Sequence, residues 1–457
     1  MFEKIFKLKE LNTNFRTEIL AGLTTFLTMS YIIFVNPLFL SFFGDPNLSH
    51  LALPFSASMT ATCLAAGVMT ILMGLWTNYP FALAPGMGLN AIVSYQMVLS
   101  LGLSWPEAMG VFVIEGIIIT ILVLTGFREA VMHSIPFSLK QAISVGIGLF
   151  LAFIGLQNAG FVKADPATFV TLGDFTKIPV IVSIFGLVLT LILMKKKTKG
   201  ALLIGIVLAT LLAIIVNYLT GLSAFAEKGK AIIPSTVVSA PDLSTVGKFN
   251  FGVFFKLGFL PALMLVFAVM LSDFFDTLGS VIGLGTEGKF LDSQGKLPRI
   301  NRVLLVDSLA AGMGGALSSS SVTTYIESAA GISTGGKTGL TNVVVGVLFI
   351  LAIFFAPLAG IVPKEATAPA LIIVGFMMLS IVKEIPFVKI EEGFPAFLIM
   401  IVMPLTYSIS NGIGFGFITY TLIMLLTGKA KEIHWLMYLV SLAFAIDFAI
   451  PALKLLF

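Results

Sequence analysis

Apolar runs of about 16 to 24 residues recur from one end of this 457-residue chain to the other, among them LAGLTTFLTMSYIIFVNPLFL, VFVIEGIIITILVLTG, ALLIGIVLATLLAIIV and NVVVGVLFILAIFFAPLAGIV. As helix, each run is long enough to cross a hydrocarbon core of about 30 Å. A segment at that depth has no water to satisfy its backbone, so it must bond to itself. About fourteen candidate spans can be marked, which predicts an all-α polytopic membrane protein with no separate soluble domain longer than a few dozen residues. Composition agrees: 58% of the residues are hydrophobic and 11% charged, against about 25% charged in soluble domains.

The N-terminal arm carries acidic residues, and no small-residue cleavage site follows its first apolar run, so the first span is expected to be retained. Basic residues cluster in that arm (Lys4, Lys7, Lys9, Arg16), at Lys195, Lys196, Lys197 and Lys199, and at Lys289, Lys296, Arg299 and Arg302. Short loops rich in Lys and Arg stay cytoplasmic. With the arm inside, about six spans return the chain inside at Lys195 and about two more at Lys289, so the parity is consistent. The expectation is a multi-pass protein of the cell membrane with a cytoplasmic N-terminus. The formal net charge of +4 then needs no nucleic-acid partner. The single cysteine, Cys63, excludes a disulfide framework and a cysteine metal site.

The longest polar connection, residues 220–250, divides the chain near its middle. IPFSLKQAISVGIGLFLAFIGL and VPKEATAPALIIVGFMMLSIV share a proline, a short polar stretch, an Ala-containing start and a Val-Gly step, a weak internal repeat. An odd number of spans in each half, about seven, would make the halves insert with opposite topology. Each half also carries an interruption: YPFALAPGMGLNAIV in the first and SSSSVTTYIESAAGIS in the second. Non-helical backbone at membrane depth is tolerated only where protein or a water-filled cavity satisfies it. Matched breaks in two halves point to a midplane binding site. The end of the chain is less constrained: residues 394–428 read as two short helices or one kinked span, and the last 23 residues as a span or a surface helix.

Ionisable residues inside apolar spans cost about 2.5 to 3.5 kcal/mol each on insertion scales and mark functional sites. Asp273 and Asp276 stand three apart in LMLVFAVMLSDFFDTLGSVIGLG, on roughly one helical face. Glu327 sits in the second interruption among Thr323, Thr324, Tyr325 and Ser328. Asp276 and Glu327 are the candidates for holding a substrate. Asp273 either joins them or orients Asp276. Glu115, with no polar residues around it, reads as a helix-packing group, and Asp447 as interfacial. A carboxyl group taken out of water favours its neutral form, so such acids can take up and release a proton and couple transport to a proton gradient. They also accept from the ring N–H groups of a flat heterocycle. Asn90 adds an amide that donates and accepts, or else caps a helix start. Gly86 and Gly88 let backbone approach closely.

Other chemistries find little support. His50, His133 and His434 are scattered, and no nucleophile–base pair is apparent, so the chain does not read as an enzyme and no cofactor or metal is expected. GLGTEG and GMGGA lack the strand–helix setting of a phosphate loop.

Taken together, AGLTTFLTMSYIIFVNP, ALAPGMGLNA, DFFDTLGSVIGLG and SSSSVTTYIESAAGI resemble the AzgA-like branch of the nucleobase:cation symporter-2 family, the bacterial and fungal hypoxanthine, guanine and adenine permeases. The resemblance runs over nearly the whole chain. It implies two inverted repeats of about seven segments with short strands in segments 3 and 10, and a core domain moving against a gate domain. On this chain the core is residues 1–134 and 252–361, the gate 135–222 and 362–457, with an extracellular loop at 223–251. It further implies purine import by proton symport, with sodium as the other possible coupling ion and a homodimer as the assembly. Carried over by position, substrate binding falls on Asp276, Glu327, Asn90 and Gly88, with Tyr325, Thr324 and Ser321 in support. Proton coupling falls on Glu327, Asp276 and Asp273. The uracil and xanthine branches carry a histidine four residues after the segment-8 acid. Here that position is Ser280, which fits the purine-specific branch. The alternative is an anion exchanger or channel of the same fold, which two acids at the site disfavour.

Overall fold

A computed structural model describes residues 5–125, 134–225, 230–292 and 297–456, with side chains through residue 450. Lys4, His133 and Lys296 lie outside the described residues. The described residues are mostly helical, and among them ten helical segments are long and apolar enough to cross a membrane.

In chain order, the first half contains α1 (Phe15–Met29), α2 (Ile32–Leu40), α3 (Phe55–Thr77), strand β1 (Leu83–Pro85), α4 (Met87–Ala91) running into a π-helix (Ile92–Ser100), α5 (Trp105–Leu124), α6 (Phe137–Asn158), a hairpin of β2 (Val162–Asp165) and β3 (Phe169–Leu172), α7 (Ile178–Lys195) and α8 (Ala201–Leu219). The second half contains α9 (Val253–Leu257), α10 (Phe259–Glu287), α11 (Ile300–Ala316), strand β4 (Val322–Thr324), α12 (Ala329–Ser333), α13 (Gly339–Ala352), α14 (Ala356–Gly360), α15 (Lys364–Leu379), α16 (Ile390–Thr406), α17 (Ile409–Leu426) and α18 (Trp435–Leu456). The last of these packs along α17, where the Thr421 and Ser441 hydroxyls meet at 2.7 Å and the Phe417 and Phe444 rings meet edge to face.

The helices are apolar on the outside as well as the inside, as lipid requires. On α5, Ile117, Ile121 and Leu124 are exposed on one stripe while Glu115, Gly116 and Ile119 are buried on another. Between such helices burial from water gives no drive, so small residues and close packing hold them together. Gly116 on α5 meets Gly312 on α11, and Gly74 on α3 meets Gly339 on α13. A Cβ added at Gly339 would lie 1.9 Å from the Gly74 carbonyl oxygen. Gly339→Ala must therefore push α3 and α13 apart, and overpacking of this kind costs about 1 to 3 kcal/mol. A lowered melting temperature in detergent is expected, and an unchanged one would count against this crossing.

Contacts between loops sort the helix ends onto two sides. On one side the Asn78 amide donates to the Phe6 carbonyl at 3.0 Å, the Lys337 N–H to Glu18 at 3.0 Å, and the Tyr79 hydroxyl to the Pro298 carbonyl at 2.8 Å, and Lys429 pairs with Glu391. On the other, the Ala231 N–H donates to Ile361 at 2.8 Å, Ser56 to Asp242 at 2.8 Å, and Lys256 to the Gly102 carbonyl. Lys195 to Lys197, at the end of α7, belong to the first side, called the basic end below.

The two interruptions meet in the interior. β1 pairs with β4 antiparallel, Leu83 opposite Thr324, Ala84 opposite Thr323 and Pro85 opposite Val322. The broken backbone is satisfied by backbone and side chains together: the Gly86 N–H donates to the Ser321 carbonyl at 3.0 Å and the Tyr325 N–H to the Ala82 carbonyl at 2.9 Å. Thr70 both donates to the Leu83 carbonyl and accepts from its N–H, each at 2.9 Å. Ser328 accepts from the Ala82 N–H at 2.9 Å, and the Asn342 amide donates to the Phe81 carbonyl at 2.7 Å. Ser318 and Ser320 take left-handed backbone angles, φ 65° and 69°. Their hydroxyls donate to the Thr245 carbonyl and to Asn90 Oδ1, and the Asn36 amide donates to the Ser319 carbonyl. Orphaned backbone groups at this depth would each cost several kcal/mol. All four serines of the run are buried; the hydroxyls of Ser318, Ser320 and Ser321 have partners, and that of Ser319 has none among the described residues.

Candidate functional site

Just beyond the strand pair, a cavity of about 90 Å³ lies between the first turn of α4, the middle of α10, the end of β4 and the facing sides of α6 and α15. It shares Asp276, Ser280, Glu327 and Met378 with a second cavity of about 390 Å³. That second space runs along Gly279 on α10 and Met377, Ser380 and Ile381 at the end of α15, toward the basic end. A water occupies about 30 Å³ of liquid, so the larger space has room for a flat two-ring heterocycle on its way in or out.

Five of the sequence candidates line the smaller cavity: Asp276, Glu327, Gly88, Tyr325 and Thr324. Ser280, four residues on from Asp276, lines both spaces on the same helical face. Three candidates do not reach them. Asn90 is fully buried behind α4, where its Oδ1 accepts from Ser320. Two residues of helix turn a side chain by about 200°, so Asn90 faces away from the space that Gly88 borders. Ser321 and Asp273 face each other at 3.4 Å, Ser321 Oγ donating to Asp273 Oδ1, in the packing between β4 and α10. Glu115 is fully buried on α5 near Asp307 and Ser321, behind β4. Asp447 lies on α18, away from the cavity.

Two residues that sequence reading passed over hold the site in shape. Asp307, on α11, is 2% exposed. One of its oxygens accepts from the Thr324 N–H at 3.0 Å and the Thr324 hydroxyl at 2.8 Å; the other accepts from Thr277 at 2.6 Å. Thr277 also meets Thr323 at 2.7 Å. Asp307 thus fastens β4 to the turn of α10 that carries Asp276. Its signal was a lone acid in VLLVDSLAAG. Tyr31 stands at the break between α1 and α2, and its hydroxyl donates to Glu327 Oε1 at 2.6 Å. Thr28, one turn earlier, donates to the Glu327 carbonyl at 3.3 Å. Tyr325 donates across to the Pro85 carbonyl at 2.5 Å, tying the two breaks together.

Electrostatically the cavity is one-signed. Two carboxyl groups face it, hydroxyls from Ser144, Ser272, Ser280, Thr324 and two tyrosines surround them, and no Lys, Arg or His lines either space. A set of acceptors and hydroxyls framed by Met, Leu, Ile and Val suits a flat, neutral molecule rich in N–H donors.

Residues 16–415 match the model of a family described as Permease family, the nucleobase:cation symporter-2 group. The chain belongs to this family. It is a transporter and not an enzyme. Among curated relatives of the permease, it is 40% identical to the guanine/hypoxanthine permease PbuG of Bacillus subtilis, over 97% of this chain and 98% of that one. It is also 40% identical to the adenine permease AdeP of Escherichia coli, over 97% and 95%. Among solved structures, the permease superposes on the transmembrane domain of a cyanobacterium bicarbonate transporter, BicA, with a TM-score of 0.63 at 15% identity, covering 87% of this chain and 97% of that one. That likeness shows the fold, consistent with a core-and-gate architecture.

Proposed function

We propose that this permease imports purine nucleobases across the cell membrane by proton symport, with Glu327 and Asp276 holding the base. The observation that carries the reading is the pairing of these two acids in one cavity, at the meeting point of two helix breaks, with no Lys, Arg or His among the described residues that line it. A purine base offers N–H groups on two edges, and two carboxyl groups on different elements can accept from both. A protonated acid in the pair would carry the coupling ion. The names of the relatives support the purine class.

The contacts among helices support about fourteen segments in two inverted repeats. In that count α5 and α11 are segments 4 and 9, and α13 and α3 are segments 11 and 2, so the two glycine-lined crossings exchange under the repeat. β1 with β4 and α6 with α15 pair each segment with its own repeat mate. We assign residues 1–134 and 252–361 to a core that carries the site, moving in elevator fashion against a gate of 135–222 and 362–457. The basic end is read as cytoplasmic. An anion carrier on this fold would meet two acids where it needs donors.

Proteoliposomes with an inward-directed proton gradient are expected to accumulate labelled hypoxanthine, guanine or adenine, and collapsing the gradient should stop accumulation. Asp276→Asn and Glu327→Gln each remove a charged acceptor, worth about 1.5 to 3 kcal/mol, so uptake should fall by about ten- to a hundredfold. Full uptake in both variants would remove these acids from the site.

A further inference from the structure

We propose that Tyr31 sets the choice between purine bases by occupying one oxygen of Glu327. This rests on the purine reading above and adds to it a residue that competes with the base for the glutamate.

Tyr31 is 1% exposed, and its one hydroxyl hydrogen goes to Glu327 Oε1 at 2.6 Å. The adjoining phenol of Tyr325 spends its own hydrogen on the Pro85 carbonyl at 2.5 Å, a fixed backbone acceptor. The backbone of the glutamate is held in place: Thr28 lies 3.3 Å from its carbonyl, and the strand pair anchors the residues before it. Glu327 therefore meets the cavity with Oε1 already accepting from Tyr31.

A carboxylate binds most strongly when both oxygens accept side by side from two parallel donors. Guanine presents such a pair, its ring N1–H beside the exocyclic amine. Hypoxanthine presents the N1–H alone, with a C–H in place of the amine. With Oε1 already accepting from Tyr31, the second donor of guanine must share that oxygen and gains less, and the site takes the two bases about equally. Without the hydroxyl, Glu327 can accept from both donors and guanine gains.

The test compares the intact permease with Tyr31→Phe, purified in detergent, by displacement of labelled hypoxanthine with guanine and with unlabelled hypoxanthine. Wild-type protein is expected to show inhibition constants for the two bases within about threefold of each other, and Tyr31→Phe to shift their ratio toward guanine by about five- to tenfold, one further hydrogen bond. Tyr31→Met, which removes the hydroxyl with a different shape, should shift the ratio the same way. A ratio that stays within about twofold of wild type in both variants overturns the proposal and leaves the purine reading standing. Equal loss of both bases in monodisperse protein overturns it too, making Tyr31 a packing residue. Wild-type protein that binds neither hypoxanthine nor guanine overturns the proposal, and the purine reading falls with it only if adenine is not bound either.

Discussion

Asp307→Ala is expected to abolish uptake and to lower the stability of the permease by about 3 kcal/mol or more, the range for breaking a buried charged network. The side chain lies outside the cavity, yet it accepts three hydrogen bonds, from the Thr324 N–H, the Thr324 hydroxyl and the Thr277 hydroxyl. Alanine leaves both Thr324 donors buried without this acceptor, each at about 1 to 3 kcal/mol, and leaves the Thr277 hydroxyl only Thr323. The loss falls where the site is assembled. Thr277 follows Asp276 directly, and Thr324 lines the cavity three residues before Glu327. With the bridge gone, β4 is free to drift from α10 and the two acids lose their spacing. Asp307→Asn keeps an acceptor for Thr324 but turns an amide donor toward Thr277, so it should retain a small part of the activity. Thermal unfolding in detergent, measured beside proteoliposome uptake, checks both. Wild-type uptake by the alanine variant would mean that the strand pair holds its register without this anchor.

The contrast between Asp307 and Glu327 shows where sequence reading stops. Both are lone acids among apolar residues, but Glu327 sits beside hydroxyls and a glycine-bounded break, whereas Asp307 sits in an uninterrupted helix. Length and hydropathy marked the spans, since lipid imposes them on each segment separately. The two breaks were legible for a similar reason: Pro85, Gly86 and the serine run are locally incompatible with a continuing helix. Facing directions were less so. Asp273 and Asp276 differ by about 60° around α10, enough to turn one to Ser321 in the packing and the other to the cavity. Asn90 was chosen for its chemistry and proved to be turned by the helical repeat toward Ser320. Tyr31 reaches a partner 296 positions away, and no local pattern announces such a contact.

Locking the end opposite the basic one is expected to stop transport without stopping binding. Toward that end Gln96, midway along the π-helix, donates to Ser410 at 2.7 Å and accepts from the Ile409 N–H at 3.1 Å, so its amide bridges the break-bearing segment to the start of α17. Beside it the Tyr407 hydroxyl donates to Gln157 at 2.5 Å, and the Tyr407 ring packs 5.4 Å from Tyr95 and 5.7 Å from Phe150. In the division proposed above, Tyr95 and Gln96 belong to the core, and Phe150, Gln157, Tyr407 and Ser410 to the gate. Exposing the site to that side requires the whole group to part, while the larger cavity already leads to the basic end. Cys63 is the only native cysteine and is buried, so Cys63→Ala gives a clean background. In it, Gln96→Cys with Ser410→Cys, joined by a short reducible bis-thiol reagent, should hold core and gate together. Uptake into proteoliposomes should drop to background and return on reduction, whereas displacement of labelled base in detergent should persist, because the path from the basic end stays open. Uptake at the unlinked rate by fully crosslinked protein would mean that core and gate do not separate here. Loss of binding together with uptake would mean that the base enters only past Gln96.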